Sequence, residues 1–222
     1  MCVTTKSMKI KRISGFYGIG LIKGEALKKI TAGTWIENPV VGQRVLLTKL
    51  PSETGGRYFE MEYECRPFTG KGVFPLHYHP TCTERFNILT GKARYLLGKK
   101  EYTAGPGEQV IFPPMIQHLH PWRDSNEELR VRLVSEADPP DMAGLNAALN
   151  TGITLFGMAR GGKVNKEGLP NPLQLIVSGN YTLPGACPPG LSVSAARAIL
   201  APLAMVGHLA GYLVTYPEYG EV

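Results

Sequence analysis

The amino-acid sequence predicts a mainly β domain followed by a helical C-terminal extension. Three observations carry that expectation. The 26 Gly and 18 Pro of the 222 residues are dispersed without a period, as in a chain with many turns and unlike a collagenous or disordered one. Short apolar segments bounded by turn residues recur at intervals of about ten positions between 34 and 137. After Pro139-Pro140 the apolar spacing changes from that of strands to that of helices.

Residues 1–33 show no clean period and form a basic N-terminal segment. Short strands are expected at 34–38 and 43–50, separated by Pro39 and Gly42. The clearest alternation comes next: Phe59, Met61, Tyr63 and Cys65 are apolar, with Glu60, Glu62 and Glu64 between them. That pattern predicts a half-buried antiparallel strand with an acidic outer face. Further strands are expected at 74–79, 84–89, 93–98, 108–112, 116–120 and 128–135. Pro80, Thr90-Gly91, Gly98, Gly105-Pro106-Gly107 and Pro113-Pro114 punctuate them. Evenly spaced short strands indicate a sandwich or barrel over residues 34–137.

In residues 138–222, Met142, Leu145, Leu149, Ile153 and Phe156 recur at helical spacing, and Gly161-Gly162 should stop that helix. Asn171-Pro172 reads as cap and first turn of a second helix ending near Gly179. A turn-rich connector follows at 184–190, and 191–214 should give one or two helices, broken or kinked at Pro202. This helical cover is expected to pack on the β domain or across a homodimer.

The net charge of +6 is local. Residues 1–50 hold nine Lys or Arg against Glu25 and Glu37, whereas the rest of the chain is nearly balanced. A solvated basic arm is the expected reading, with no nucleic-acid partner. Segment 191–214 is largely apolar but is interrupted by Arg197, Pro202, Gly207, His208 and Gly211 and lacks basic flanks. A buried helix is therefore expected there and no membrane span, although Gly207 and Gly211 form a G-x-x-x-G. Cysteines at 2, 65, 82 and 187 make no C-x-x-C, and no apolar signal segment follows Met1, so a cytoplasmic location is expected.

One stretch carries chemistry. His77 and His79 are two apart on an expected strand, so they share a face at a separation of about 7 Å. Pro80 to Thr83 can turn the chain, and Glu84 begins a returning strand that brings a carboxylate to the two imidazoles. Two imidazoles and one carboxylate make a site for a divalent metal. A further donor is expected from the segment Gly107 to Trp122, which contains His118 and His120.

Through these two segments the chain resembles the cupin family. His77, His79, Glu84 and Gly91 match its first motif, with Gly72 one residue nearer His77 than the pattern has it. Gly107, Pro113 and His118 match its second motif, whereas Met115 stands in place of a glycine and Trp122 in place of an asparagine. The resemblance implies a jelly-roll barrel holding one divalent metal (iron, manganese, nickel, copper or zinc) on His77, His79, Glu84 and His118. It further implies open coordination positions and a small-molecule substrate. His120 should also point inward, as an acid/base or substrate contact. Phe74, Phe86, Phe112 and Trp122 are candidate walls of a substrate pocket, a composition suited to an aromatic or polyketide-like molecule. The expected function is dioxygenase-type chemistry at that metal, with Glu84 and His120 as catalytic residues. A redox-neutral isomerase, cyclase or decarboxylase is the first alternative, and a non-catalytic ligand-binding cupin the second.

Overall fold

The computed structural model describes residues 28–67, 74–183 and 185–222. Most of the basic N-terminal segment, the motif residue Gly72 and the first connector residue, Pro184, lie outside them. Among the described residues the elements run β1 (Trp35–Asn38), β2 (Gln43–Lys49), β3 (Tyr58–Cys65), β4 (Cys82–Thr90), β5 (Ala93–Leu97), β6 (Lys100–Ala104), β7 (Gln109–Phe112), β8 (His118–Arg123) and β9 (Leu129–Ala137). Three helices follow: α1 (Met142–Arg160), α2 (Pro172–Thr182) and α3 (Val193–Leu209).

All strand pairs are antiparallel and form two sheets, one in the order β1-β2-β3-β9-β4-β7 and one in the order β6-β5-β8. Two such sheets around a shared core are the architecture of a jelly roll, and the described strands do not close them into one continuous barrel. Strict alternation fixes which faces meet. On β4, Cys82, Glu84, Phe86 and Ile88 are buried, and on β9, Leu129, Val131, Leu133, Ser135 and Ala137 are buried. The outer face of β3 and β9 carries a ladder in which Arg130 pairs with Glu64 at 3.3 Å and Arg132 with Glu62 at 2.8 Å. Arg44 closes over Glu64 from β2, so Glu64 is buried beneath two guanidiniums.

Helix α1 starts at Asp141, whose carboxylate accepts from the Gly144 N–H at 2.9 Å, and ends against Gly161. Its residues Leu145, Leu149, Ile153 and Phe156 share one core with Phe59, Val45 and Leu133 of the sheets, while Met142 stays 38 % exposed. Asn171 caps α2 through a 2.9 Å bond from the Leu173 N–H. α2 continues past Gly179 to Thr182, whose hydroxyl donates to the Ser178 carbonyl.

Two expectations are corrected, and one strand forms where none was expected. Residues 74–79 do not form a strand: His77 makes an isolated bridge with His118, and Tyr78 one with Cys187. Pro75 and Pro80 lack N–H groups, so only a short stretch between them can pair, and its two residues pair with different partners. Strand β6 was not legible, because Lys100, Glu101, Tyr102 and Thr103 are all exposed and show no apolar alternation. It forms by hairpin pairing with β5, on which Tyr102 stacks against Tyr95 at 5.4 Å. Finally, α3 runs unbroken through Pro202. The carbonyl that Pro202 leaves without a donor belongs to Ala198, and both residues are exposed, so water can take that bond. Among the described residues no helix is long and apolar enough to cross a membrane. Gly207 of the G-x-x-x-G lets α3 close on α2, where a Cβ would stand 2.5 Å from Val177 Cγ2.

Candidate metal centre

The two sheets bring their polar exceptions to one point between them. Glu84 enters from β4 of the large sheet, and His118 and His120 enter from β8 of the small sheet. His77 and His79 reach the same point from the bridged segment beside β8. The donor atoms of these five side chains all lie within 4.8 Å of one another. Glu84 Oε2 is 3.0 Å from His120 Nε2 and 3.3 Å from both His79 Nε2 and His118 Nε2. His77 Nε2 stands 3.2 Å from His79 Nε2.

Backbone carbonyls set the tautomers. His77 Nδ1 donates to the Pro75 carbonyl at 2.8 Å, His118 Nδ1 to the Ile116 carbonyl at 2.8 Å and His79 Nδ1 to the Gly185 carbonyl at 2.6 Å. A carbonyl oxygen only accepts, so each of these Nδ1 atoms carries the proton and each neutral ring presents an Nε2 lone pair. Those lone pairs converge on one another and on an ionised carboxylate. Glu84 Oε2, His118 Nε2 and His120 Nε2 are buried without a hydrogen-bond partner. Orphaned buried polar atoms cost about 1–3 kcal/mol each. A divalent cation would satisfy them together, so the donor set fits a metal bound by imidazole and carboxylate.

The electrostatics agree. Burial alone would raise the Glu84 carboxyl, but His120, His79 and His118 outweigh it and hold the group well below the usual carboxylate range. Burial pushes the His77 imidazole far down, and its three histidine neighbours push it further. His118 is lowered by burial, against the pull of Glu84. Burial opposes a proton on His79 too, yet Glu84 and the Gly185 carbonyl raise it overall. Glu84 is thus ionised and His77 and His118 are neutral at neutral pH, the protonation states that metal binding requires.

A small cavity of about 50 Å³ opens beside the cluster, lined by Tyr63, Phe74, His120, Trp122, Leu133 and Phe156 among others. Phe86 and Phe112, expected beside Phe74 and Trp122, are fully buried in the core; Phe86 packs on His120 at 5.0 Å and Phe112 on His118 at 4.6 Å between ring centroids. Cys82 is the buried first residue of β4. Sequence reasoning missed two participants. Tyr63, whose hydroxyl donates to the Pro121 carbonyl at 3.0 Å, carries in the sequence only the signal of an inward strand residue. The Gly185 carbonyl carries no side-chain signal at all.

The cluster has relatives in sequence. Residues 68–135 match the family described as cupin domain. The matched segment is similar to that family. It spans both histidine segments, Glu84 and all of β4 to β8. No curated protein sequence matches the chain. Among solved structures, the chain is similar to a predicted oxalate decarboxylase from Thermotoga maritima, at 14% identity over 43% of this chain and 80% of that one, with a TM-score of 0.39. It is also similar to KdgF from Halomonas sp., at 14% identity over 43% and 79% of the two chains, with a TM-score of 0.34. Oxalate decarboxylase from Bacillus subtilis matches at 17% identity over 44% and 26%, with a TM-score of 0.36.

Proposed function

We propose that this cupin domain is the centre of a metal-dependent enzyme acting on a small organic molecule. The observation that carries the reading is the convergence of imidazole Nε2 atoms on the buried Glu84 carboxylate next to an apolar cavity. His77, His79, Glu84 and His118 would hold the metal. A bound divalent metal supplies a Lewis acid that polarises a substrate oxygen and lowers its pKa. The protein does the rest: the Nδ1 bonds to three carbonyls fix the imidazoles, and the aromatic walls of Phe74 and Trp122 keep water away and strengthen local electrostatics.

Dioxygenase-type chemistry on an aromatic or polyketide-like molecule is the first reading, supported by the apolar lining. A redox-neutral isomerase, cyclase or decarboxylase is the second, and the cavity itself favours it. Its volume of about 50 Å³ is well below the ~300–1,000 Å³ of pockets that enclose drug-sized ligands. It has room for the reacting end of a small acid or carbonyl compound.

Elemental analysis of the purified chain tests the common part: one divalent transition metal per chain is expected, with loss in the His77→Ala/His79→Ala double variant. Turnover assays with and without air then separate the two chemistries. Oxygen uptake in step with substrate loss supports the dioxygenase, and undiminished anaerobic turnover supports the redox-neutral enzyme. Tight ligand binding with no metal in the protein would leave a non-catalytic binding protein instead.

A further inference from the structure

We infer that His120 is a fifth protein ligand of the metal, so that a six-coordinate ion in this site keeps one open position and takes its substrate through a single donor atom. The inference rests on the reading of the cluster as a metal centre and sharpens it. In the four-ligand arrangement that the motifs imply, His120 would stand outside as an acid or base. Its geometry says otherwise.

At metal–ligand bonds of about 2.1 Å, two donors at right angles are about 3.0 Å apart. His120 Nε2 lies 3.0 Å from Glu84 Oε2, on a par with the 3.3 Å of His79 and His118 to that same oxygen. By distance from the carboxylate, His120 cannot be told apart from the two ligands beside it. A hydrogen bond is the competing explanation for so short a separation. Both atoms are nevertheless buried without a hydrogen bond of acceptable geometry. Two buried donor atoms at contact distance, neither satisfied by a hydrogen bond, are both satisfied by a shared cation. The rings support the same arrangement: His120 lies 5.1 Å from His77 and stacks with His118 at 5.7 Å and 12°.

His120 differs from the other three in its anchoring and its exposure. No carbonyl among the described residues holds its Nδ1, and its side chain is 21% exposed where that of His118 is fully buried. Its ring is instead clamped by Phe86 at 5.0 Å and Phe74 at 5.8 Å, and it forms part of the cavity wall. The metal thus meets the cavity at its least tethered ligand. A chelating substrate, or a substrate together with dioxygen, needs two positions and gains the second only if His120 leaves. A redox-neutral reaction on a singly bound carboxylate or carbonyl oxygen needs no such exchange.

Cobalt(II) titrated into the metal-free full chain reads the ligand count without any substrate. In His120→Ala the visible spectrum should change, the Kd should rise by more than about tenfold, the lower end of the loss caused by removing a mere outer partner of a ligand, and added imidazole should restore the wild-type spectrum. Unchanged spectrum and Kd would overturn the assignment. Should His120→Ala fail to fold, manganese(II)-loaded wild-type protein decides: water-oxygen line broadening should count one exchangeable water on the ion, and two or more would overturn it. Wild-type protein that binds neither ion overturns the metal centre itself, an outcome distinct from a bound ion with four protein ligands.

Discussion

Among His77, His79 and His118, acid acts first on His79. Its folded-state pKa lies above the usual value of about 6.5, whereas those of His77 and His118 lie below. Its Nδ1 proton is committed to the Gly185 carbonyl, so an added proton goes to Nε2, the atom a metal needs. The sign follows directly. A raised pKa means that protonated His79 paired with Glu84 stabilises the metal-free fold at low pH and is lost as pH rises through that pKa. Proton and metal therefore compete, and as pH is lowered cobalt affinity should begin to fall while still above pH 6.5, by about tenfold per pH unit once one proton is displaced per ion. Affinity that stays flat between pH 8 and 6 would contradict this. The donor set itself was legible in the sequence, because H-x-H on an extended segment forces both rings to one side. What was not legible is the rank of His79 among the imidazoles. That depends on Glu84 and on a backbone carbonyl 106 residues away.

Among the elements, the turn before β8 shows how a local rule is broken next to a site. Met115 adopts φ 66, the left-handed region, at the position where the cupin pattern has glycine. Its N–H donates to the His79 carbonyl at 2.8 Å, so this turn ties β8, with His118, to the H-x-H segment. The left-handed conformation costs a side chain about 1–2 kcal/mol, and glycine in its place gives back about 0.5–1 kcal/mol in unfolded-state entropy. Met115 is 63% exposed and packs little. Met115→Gly should therefore stabilise the protein by about 0.5–1 kcal/mol, raising Tm by about 1–4 °C in calorimetry, with metal content unchanged. A lower Tm would show that the Met115 side chain contributes packing not evident from its exposure. Gly91, by contrast, keeps the motif glycine: φ is 77 and a Cβ there would run into the Glu128 carbonyl. At this scale the sequence predicts elements wherever alternation or capping is strong, as on β3, β4, β9 and α1. It fails where pairing alone makes the element, as for exposed β6, or where prolines confine pairing to two bridges, as at 77–78.

Across the whole molecule, the helical extension contributes to the candidate metal site and is not merely a cover. The segment after α2 lies against the H-x-H segment. The Gly185 carbonyl holds His79 Nδ1, Cys187 pairs with Tyr78 through N–H···O bonds of 3.0 and 2.9 Å, and the Tyr78 hydroxyl donates to the Leu191 carbonyl at 2.7 Å. Tyr78, which sits between His77 and His79, is buried with Leu183, Cys187 and Ala196 in a small core of the extension. Gly185 is in turn pressed on the first turn of α1, where a Cβ would stand 2.8 Å from the Gly144 carbonyl. It does not need glycine for a left-handed backbone, so any effect of a larger residue there is steric. Gly185→Ala must displace either the start of α1 or the carbonyl that orients His79. Overpacking of this kind costs about 1–3 kcal/mol, and loss of the partner that orients a ligand costs about 10–100-fold in metal affinity. The two readouts should fall together, in thermal unfolding and in cobalt titration. Gly179→Ala on α2 is the matched control: its Cβ would meet only Leu200 Cδ1 at 3.9 Å, so affinity should hold and stability should rise by about 0.5–1 kcal/mol from helix propensity. If Gly185→Ala lost stability but kept its cobalt affinity, His79 would be held by β-domain contacts alone, and the extension would be packing on a metal site complete without it.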